Sequence, residues 1–232
     1  MANLYGPRIV TDGLVLHLDA ANRKSYPGSG TSWYDISGNG GYAVLTNGPT
    51  FTTQDGGGIS FDDVNDYARI TRSDLNAGSF AYGNITCEIW LKPAGASTSG
   101  TGNNIITVEN SWELSIGYLS NGYYSLYQAS NPWAWYGTDS NPIAGNAWSQ
   151  IIFTHSNTTS SLHVNTTQVH TRSNSGALGG GGSYPYLTLM GRQSGTVNNC
   201  GGVLSVVKIY NRVLSSSEIS SNYNALKGRF GL

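Results

Sequence analysis

Leu14, Leu16 and Leu18 alternate with Val15, His17 and Asp19, the period of two expected of a β-strand with one buried face. Further strands are predicted at Ile59 to Phe61 and Tyr67 to Ile70. In ITCEIWLK, Ile85, Cys87, Ile89 and Leu91 share one face, which predicts a central strand. Asn104 to Val108, Trp112 to Ile116 and Tyr123 to Tyr127 read as a meander of short strands broken by Gly and Asn turns. Trp148 to Thr154 and Ser161 to Val169 read as a hairpin across SNTTS, and Leu187 to Met190 and Val203 to Tyr210 supply the last strands. Only then does the period change. Ser215, Ser216, Ser217 and Glu218 form a capping-box pattern ahead of Ile219, Tyr223 and Leu226, which predicts one short helix near the C-terminus.

Between these elements, AANRKSYPGSGTSWYDISGNGG is crowded with Gly, Ser, Asn and Pro and reads as a long ordered loop around Trp33 and Tyr34. The run Gly179 to Gly182 reads as a flexible turn. No predicted helix follows it to bind a phosphate. There is no internal repeat, heptad seam or composition break, so residues 1–232 are expected to form one domain. Thirty-one glycines, fifteen tyrosines and only 11% charged residues suit many short strands joined by tight turns, and the fold class expected is all-β.

Charge narrows the partners. Twelve Lys and Arg stand against thirteen Asp and Glu, a formal charge of −1, with no basic block to follow a phosphate backbone, so no nucleic acid is expected. MANLYGPRIVTDG lacks the charged start and apolar run of a signal peptide, and no apolar stretch is long enough to enter a bilayer. A soluble product made in the cytoplasm, without membrane insertion, is the expectation. Cys87 and Cys200 are too few and too far apart for a disulfide framework or a thiolate zinc site, and are expected to be small buried apolar residues. The sequons at Asn84, Asn157 and Asn165 carry no weight without a secretory signal.

Four segments carry a resemblance: GLVLHLDAANRKSYPGSGTSWYDISGNG (13–40), ISFDDVNDYARI (59–70), ITCEIWLKP (85–93) and VVKIYNRVLSSSEISSNYNALKGRFGL (206–232). Together they resemble the concanavalin A-like lectin/glucanase superfamily, specifically laminin-G-like domains of tailed-bacteriophage virion proteins, including those of cyanophages. The resemblance covers nearly the whole chain. It implies a two-sheet antiparallel jelly-roll sandwich with one short C-terminal helix. Two positions depart from the pattern: Asp63 and Thr166 stand where the family usually has Gly, so each is expected in a turn with an awkward backbone angle.

The fold hosts lectins, hydrolases and structural modules alike, so function must come from a site. Polysaccharide-cutting members place several carboxylates on alternate residues of one strand. Here Glu88, Glu109, Glu113 and Glu218 form no such cluster and are expected to be surface charges. His17, His155, His163 and His170 have no nucleophile motif beside them, and the first three read as solvent-facing. No catalytic residue is assigned. The oxygen-rich groups Asp62, Asp63, Asn65, Asp66 and Asp35, Asn39 suit either a structural calcium or, more simply, Asx turns. No metal ligand or cofactor is assigned.

The most unusual signal is NGYYSLYQASNPWAWYGTDSN. Its candidate carbohydrate-binding residues are Tyr124, Tyr127, Trp133, Trp135 and Tyr136, rings on which a pyranose stacks beside hydrogen-bonding amides. The same rings suit the core or a neighbouring subunit. The resemblance implies a non-enzymatic structural protein of a phage virion, in the first place a surface-exposed capsid decoration protein, since no coiled coil or shaft repeat is present to anchor a fibre. Its expected partners are other virion proteins, capsid or tail, with host-surface glycans as a further partner. A tail-associated or free-standing carbohydrate-binding adhesin is the alternative, and a glycoside hydrolase the weakest reading.

Overall fold

The computed structural model describes residues 7–71, 84–94, 103–108, 112–118, 123–126, 143, 145–173, 186–192 and 198–232. Strands β1 (Leu14–Asp19), β4 (Thr50–Thr52), β5 (Gly58–Phe61), β7 (Ile85–Pro93), β11 (Ser149–His155), β12 (Thr159–Val164), β13 (Thr167–Ser173) and β15 (Gly202–Tyr210) form one sheet, here called sheet A. Strands β2 (Ser32–Tyr34), β3 (Tyr42–Thr46), β6 (Tyr67–Thr71), β8 (Asn103–Val108), β9 (Trp112–Tyr118), β10 (Tyr123–Leu126) and β14 (Tyr186–Leu189) form sheet B. Sheet A runs β13-β12-β11-β7-β15-β5-β4, with β1 also on β15. Sheet B runs β10-β9-β8-β14-β6-β3-β2. Every pairing described is antiparallel. The sandwich is the one expected, with β7 central between β11 and β15.

Alternation builds the core. From sheet A, Leu16, Leu18, Ile85, Cys87, Ile89, Leu91, Ile151 and Phe153 point inward to meet Trp33, Ala68, Ile70, Val108, Trp112, Leu187 and Leu189 of sheet B. Both cysteines are free and buried, and burial pushes both thiols well above their usual pKa. A bulge between Leu204 and Val206 in β15 inserts one residue. Leu204 and Val207 therefore both reach the core, while Val206 turns to the opposite face.

That opposite face of sheet A is covered by the C-terminus. Helix α1 (Ser216–Leu226) starts at a capping box: Ser215 accepts from the Glu218 N–H, and Glu218 Oε2 accepts from the Ser215 N–H at 2.8 Å. Arg212 forks onto the Glu218 carboxylate at 2.6 and 3.0 Å, and with the Ser215 N–H it holds that carboxyl down to about 2. Ile219 packs with Ile152, Tyr210 and Leu214. Tyr223, Leu226 and Phe230 pack with Trp90, Trp148 and Val206. Arg229 fastens the end by pairing with Asp19 at 2.8 Å and donating to Ser205 and the carbonyls of Gly56 and Gly57.

Beneath the helix lies a buried polar cluster. Glu88 accepts from Lys208 Nζ at 2.8 Å, Trp90 Nε1 and Gln150 Nε2 at 3.0 Å, and Asn222 Nδ2 at 2.6 Å. Glu88, Lys208 and Asn222 are all fully buried. Burial alone would raise the Glu88 pKa, but the Lys208 charge and the hydrogen bonds from Lys208, Gln150 and Trp90 outweigh it and hold the carboxyl below its usual range. Glu88 is thus an internal anchor and not the surface charge expected, because its face of β7 is roofed by α1. Glu113 is likewise buried. Glu109 lies outside the described residues.

Two further expectations need correction. The strand expected over Ser161 to Val169 ends at Val164 and reverses at Asn165–Thr166, where φ is 47° and 72°. Both central residues are left-handed, as in a type I′ hairpin. Thr166 therefore accepts the angle that Gly usually takes, as does Asp63 with φ 66°. The histidines are not solvent-facing: His155 is buried on the inner face of β11 beside Phe153, His163 is buried and His17 is half-buried on the outer face of sheet A. Gly179 to Gly182 lies outside the described residues.

Burial lowers the pKa of His155 to about 4. His17 is lowered to about 4 by burial and by the Lys208 charge, against Asp19, Glu88 and Asp35. The folded protein keeps both rings neutral, whereas the unfolded chain takes up protons below about pH 6.5. Stability is therefore expected to hold above that pH and to fall as pH drops from 6.5 towards 4. Thermal melting against pH measures this. His155→Gln should flatten the slope across that window, and an unchanged slope would show that His155 does not carry it.

Candidate functional site

The outer face of sheet B is exposed at its β2–β3 edge and buried at Thr188, Thr107, Glu113 and Ser115 of β14, β8 and β9, so among the described residues the part open to a partner is the β2–β3–β6 end. It is assembled from alternation in three neighbouring strands. In YAVLT of β3, Ala43 and Leu45 go to the core, leaving Tyr42 and Val44 outside at 44% and 41% exposure. In β2, Trp33 goes inward and Tyr34 outward, 45% exposed. Register sets Tyr34 opposite Tyr42, with ring centroids 5.9 Å apart and planes tilted by 47°. In β6, Ala68 and Ile70 are buried, leaving Tyr67 and Arg69 on the outer face.

Arg69 is central to this surface. It lies opposite Val44 on one side and Thr188 on the other. Its guanidinium carbon is 4.4 Å from the Tyr67 ring centre and 5.4 Å from that of Tyr186, within the range of a cation–π contact. Tyr34, Tyr42, Val44, Tyr67, Arg69 and Tyr186 thus form an aromatic face around one cation.

Further along the sheet the outer face turns polar and is buried. Asn104 Nδ2 donates to Thr107 Oγ1 and Glu113 Oε2 at 2.9 Å, and Ser115 Oγ donates to Asn104 Oδ1 at 3.1 Å. Arg192 closes an ion pair with Glu113 at 2.8 Å. The Glu113 carboxylate is thus engaged by its neighbours, as are those of Glu88 and Glu218. A retaining or inverting glycosidase needs two carboxyl groups facing one substrate bond, about 5–9.5 Å apart. The described glutamates are committed to separate internal partners.

The oxygen-rich groups act as Asx turns. Asp62 Oδ1 accepts from the N–H groups of Val64, Asn65 and Asp66 at 2.9–3.2 Å, and Asp66 Oδ2 accepts from the Asp62 N–H at 3.2 Å. Burial raises the Asp62 pKa, and these backbone donors outweigh it and lower the carboxyl below its usual range. Asp63 Oδ1 accepts from the Gly201 N–H at 3.1 Å. Asp35 Oδ1 accepts from the N–H groups of His17 and Ser37, and Asn39 donates to the carbonyls of Leu14 and Val15. A cation at either place would compete with these donors, so the geometry fits a turn better than calcium. Among the described residues, no group of three or more His, Cys, Asp or Glu is placed to hold a metal.

Of the sequence-predicted site residues, Tyr124 falls in β10, of which only the backbone is described. Tyr127, Trp133, Trp135 and Tyr136 lie outside the described residues. The face built from Tyr34, Tyr42, Tyr67, Arg69 and Tyr186 was not anticipated. Its signal was present in YAVLT, where a period of two separates Tyr42 and Val44 from Ala43 and Leu45.

Two antiparallel sheets packed face to face, with a C-terminal helix roofing one of them, define a concanavalin A-like jelly-roll sandwich. The chain belongs to the concanavalin A-like lectin/glucanases superfamily, whose sequence model matches residues 62–220. Among solved structures it is similar to the binding domain of Paraclostridial Mosquitocidal Protein 1, at 17% identity and a TM-score of 0.70, covering 93% of this chain and 52% of that one. It is similar to the botulinum neurotoxin serotype D binding domain at 16% identity and TM-score 0.69, with the same coverage. The serotype D ligand binding domain in complex with N-acetylneuraminic acid matches at 17% identity and TM-score 0.68, again covering 93% and 52%. The chain thus spans about half the length of these structures. No curated protein matches its sequence.

Proposed function

We propose that this chain is a non-enzymatic structural protein of a tailed-phage virion, in the first place a surface-exposed capsid decoration protein, that holds glycans on the outer face of sheet B. The observation carrying the glycan reading is the exposed Tyr34–Tyr42 pair with Val44, Tyr67, Arg69 and Tyr186 on one open face. Aromatic rings offer a sugar an apolar stacking surface, and neighbouring polar groups fix its orientation. A similar structure that holds N-acetylneuraminic acid supports the same reading, and membership of a lectin/glucanases superfamily supports a carbohydrate ligand. The engaged glutamates support a binding role over hydrolysis. The virion assignment, with synthesis in the host cytoplasm and other virion proteins as partners, rests on the resemblance of the four sequence segments.

Binding of the whole chain to a glycan array tests the site. Tyr34→Ala with Tyr42→Ala is expected to weaken binding by about tenfold or more, since each stacking contact is worth roughly 0.5–1.5 kcal/mol, with the β-type circular dichroism spectrum retained. Unchanged glycan binding in the double variant would remove this face from the function. Trp133→Ala with Trp135→Ala asks the same of the aromatic run that holds Tyr124, Tyr127 and Tyr136. Mass spectrometry of purified particles tests the virion part, and absence of the chain would leave a free-standing carbohydrate-binding adhesin as the reading.

A further inference from the structure

We propose that Arg69 is the anchor of a subsite for a carboxylate-bearing sugar, of the uronic or sialic acid class, on the outer face of sheet B. This rests on the glycan-binding reading and specifies the ligand. Buried N–H donors are almost always paired. In Arg69, Nε and Nη2 are both buried and neither has a hydrogen-bond partner. These two nitrogens lie along one edge of the planar guanidinium, so their N–H bonds run parallel and match the two oxygens of a carboxylate. A lone orphaned donor would suit any acceptor; two side by side select a planar fork.

The surroundings supply no counter-charge. Arg69 lies between Val44 and Thr188 in register and against the rings of Tyr67 and Tyr186. Glu113 faces the same surface from β9 across β14 and β8, where Arg192 already pairs with it. Among the described residues the Arg69 charge is met only by aromatic faces, which attract a cation but accept no fork. An acid group from outside would complete it. The tyrosine rings beside it would carry the sugar's apolar face, and Val44, Tyr42 and Tyr34 continue the platform for the next residues of a chain. Because the unpaired edge is buried, an acid that reaches it binds in a desolvated place where a charged hydrogen bond is strong.

The test compares three soluble polymers on the full chain: dextran, which is neutral; polygalacturonate, which carries carboxylates alone; and dextran sulfate, which carries sulfates alone. Wild-type protein is expected to bind polygalacturonate about tenfold or more tighter than dextran, the margin of a charge-assisted bidentate pair. Arg69→Lys keeps the charge and loses the fork, and should abolish most of that margin by weakening polygalacturonate binding far more than dextran binding. Arg69→Gln should do the same and lose the remainder. Equal affinity for polygalacturonate and dextran would overturn the subsite and leave the glycan reading standing. Preference for dextran sulfate, untouched by Arg69→Lys, would overturn it in favour of unspecific charge attraction. No binding to any of the three, together with no binding on the array, would bring down both readings. The wild-type comparison alone decides the matter if a variant fails to fold.

Discussion

Lys208→Ala is expected to destabilise the protein by about 3–5 kcal/mol, the range for removing one partner of a buried ion pair. The loss comes from Glu88, which stays fully buried with its carboxylate still held by Trp90, Gln150 and Asn222 but without a neutralising charge. For a chain of this size it lowers the melting temperature by roughly 6–20 °C. The remaining donors favour the ionised form and burial opposes it, so losing the Lys208 charge raises the Glu88 pKa and the variant's deficit against the wild type should narrow as pH falls. Lys208→Met combined with Glu88→Gln should regain much of the loss, because the pair is then neutral. Chemical denaturation of the single and double variants measures both. A loss under about 1 kcal/mol in Lys208→Ala would mean that Glu88 reaches solvent.

Trp90→Ala should cost a similar amount, about 3–5 kcal/mol, with a different signature. The indole stacks on Phe230 at 4.5 Å and on Tyr223 at 5.8 Å, and its N–H donates to Glu88. Removing it opens a cavity between sheet A and the C-terminal segment and deprives Glu88 of a donor. The helix should then detach more readily than the sandwich unfolds. Amide hydrogen exchange should show protection lost first in residues 216–230, and limited proteolysis should cut there. Trp90→Phe should retain most of the packing and lose only the hydrogen bond. Since both variants act on Glu88, the double variant Trp90→Ala/Lys208→Ala should fall short of the summed losses. Uniform loss of protection across β7 and α1 would show that the segment is no separate unit.

Much of the frame was legible in the residues. The three leucines of β1 announce their strand, and Ser215 with Glu218 announces the helix start to the residue, because capping and alternation are local effects. The Asp62 to Asp66 turn could be read as backbone-bonded for the same reason. The fate of Glu88, Glu113 and His163 could not. A strand's sequence tells which residues share a face, but not whether the outer face meets water, and here a helix more than a hundred residues away covers Glu88.

The sequence by itself determined the all-β class, the central place of Ile85–Pro93, the buried cysteines and the capped C-terminal helix, since each follows from periodicity or a local hydrogen bond. Tertiary structure decided the rest. In VLSVVKIY the alternation alone cannot say which valine is inside; the bulge at Ser205 sends Leu204 and Val207 to the core and Val206 to the helix. Tyr34 and Tyr42 become a pair through the β2–β3 register, and Tyr186 joins Arg69 only because β14 lies beside β6 across more than a hundred residues. Strand order and register are set by how two whole sheets close over one core, a non-local balance that no short segment of the chain contains.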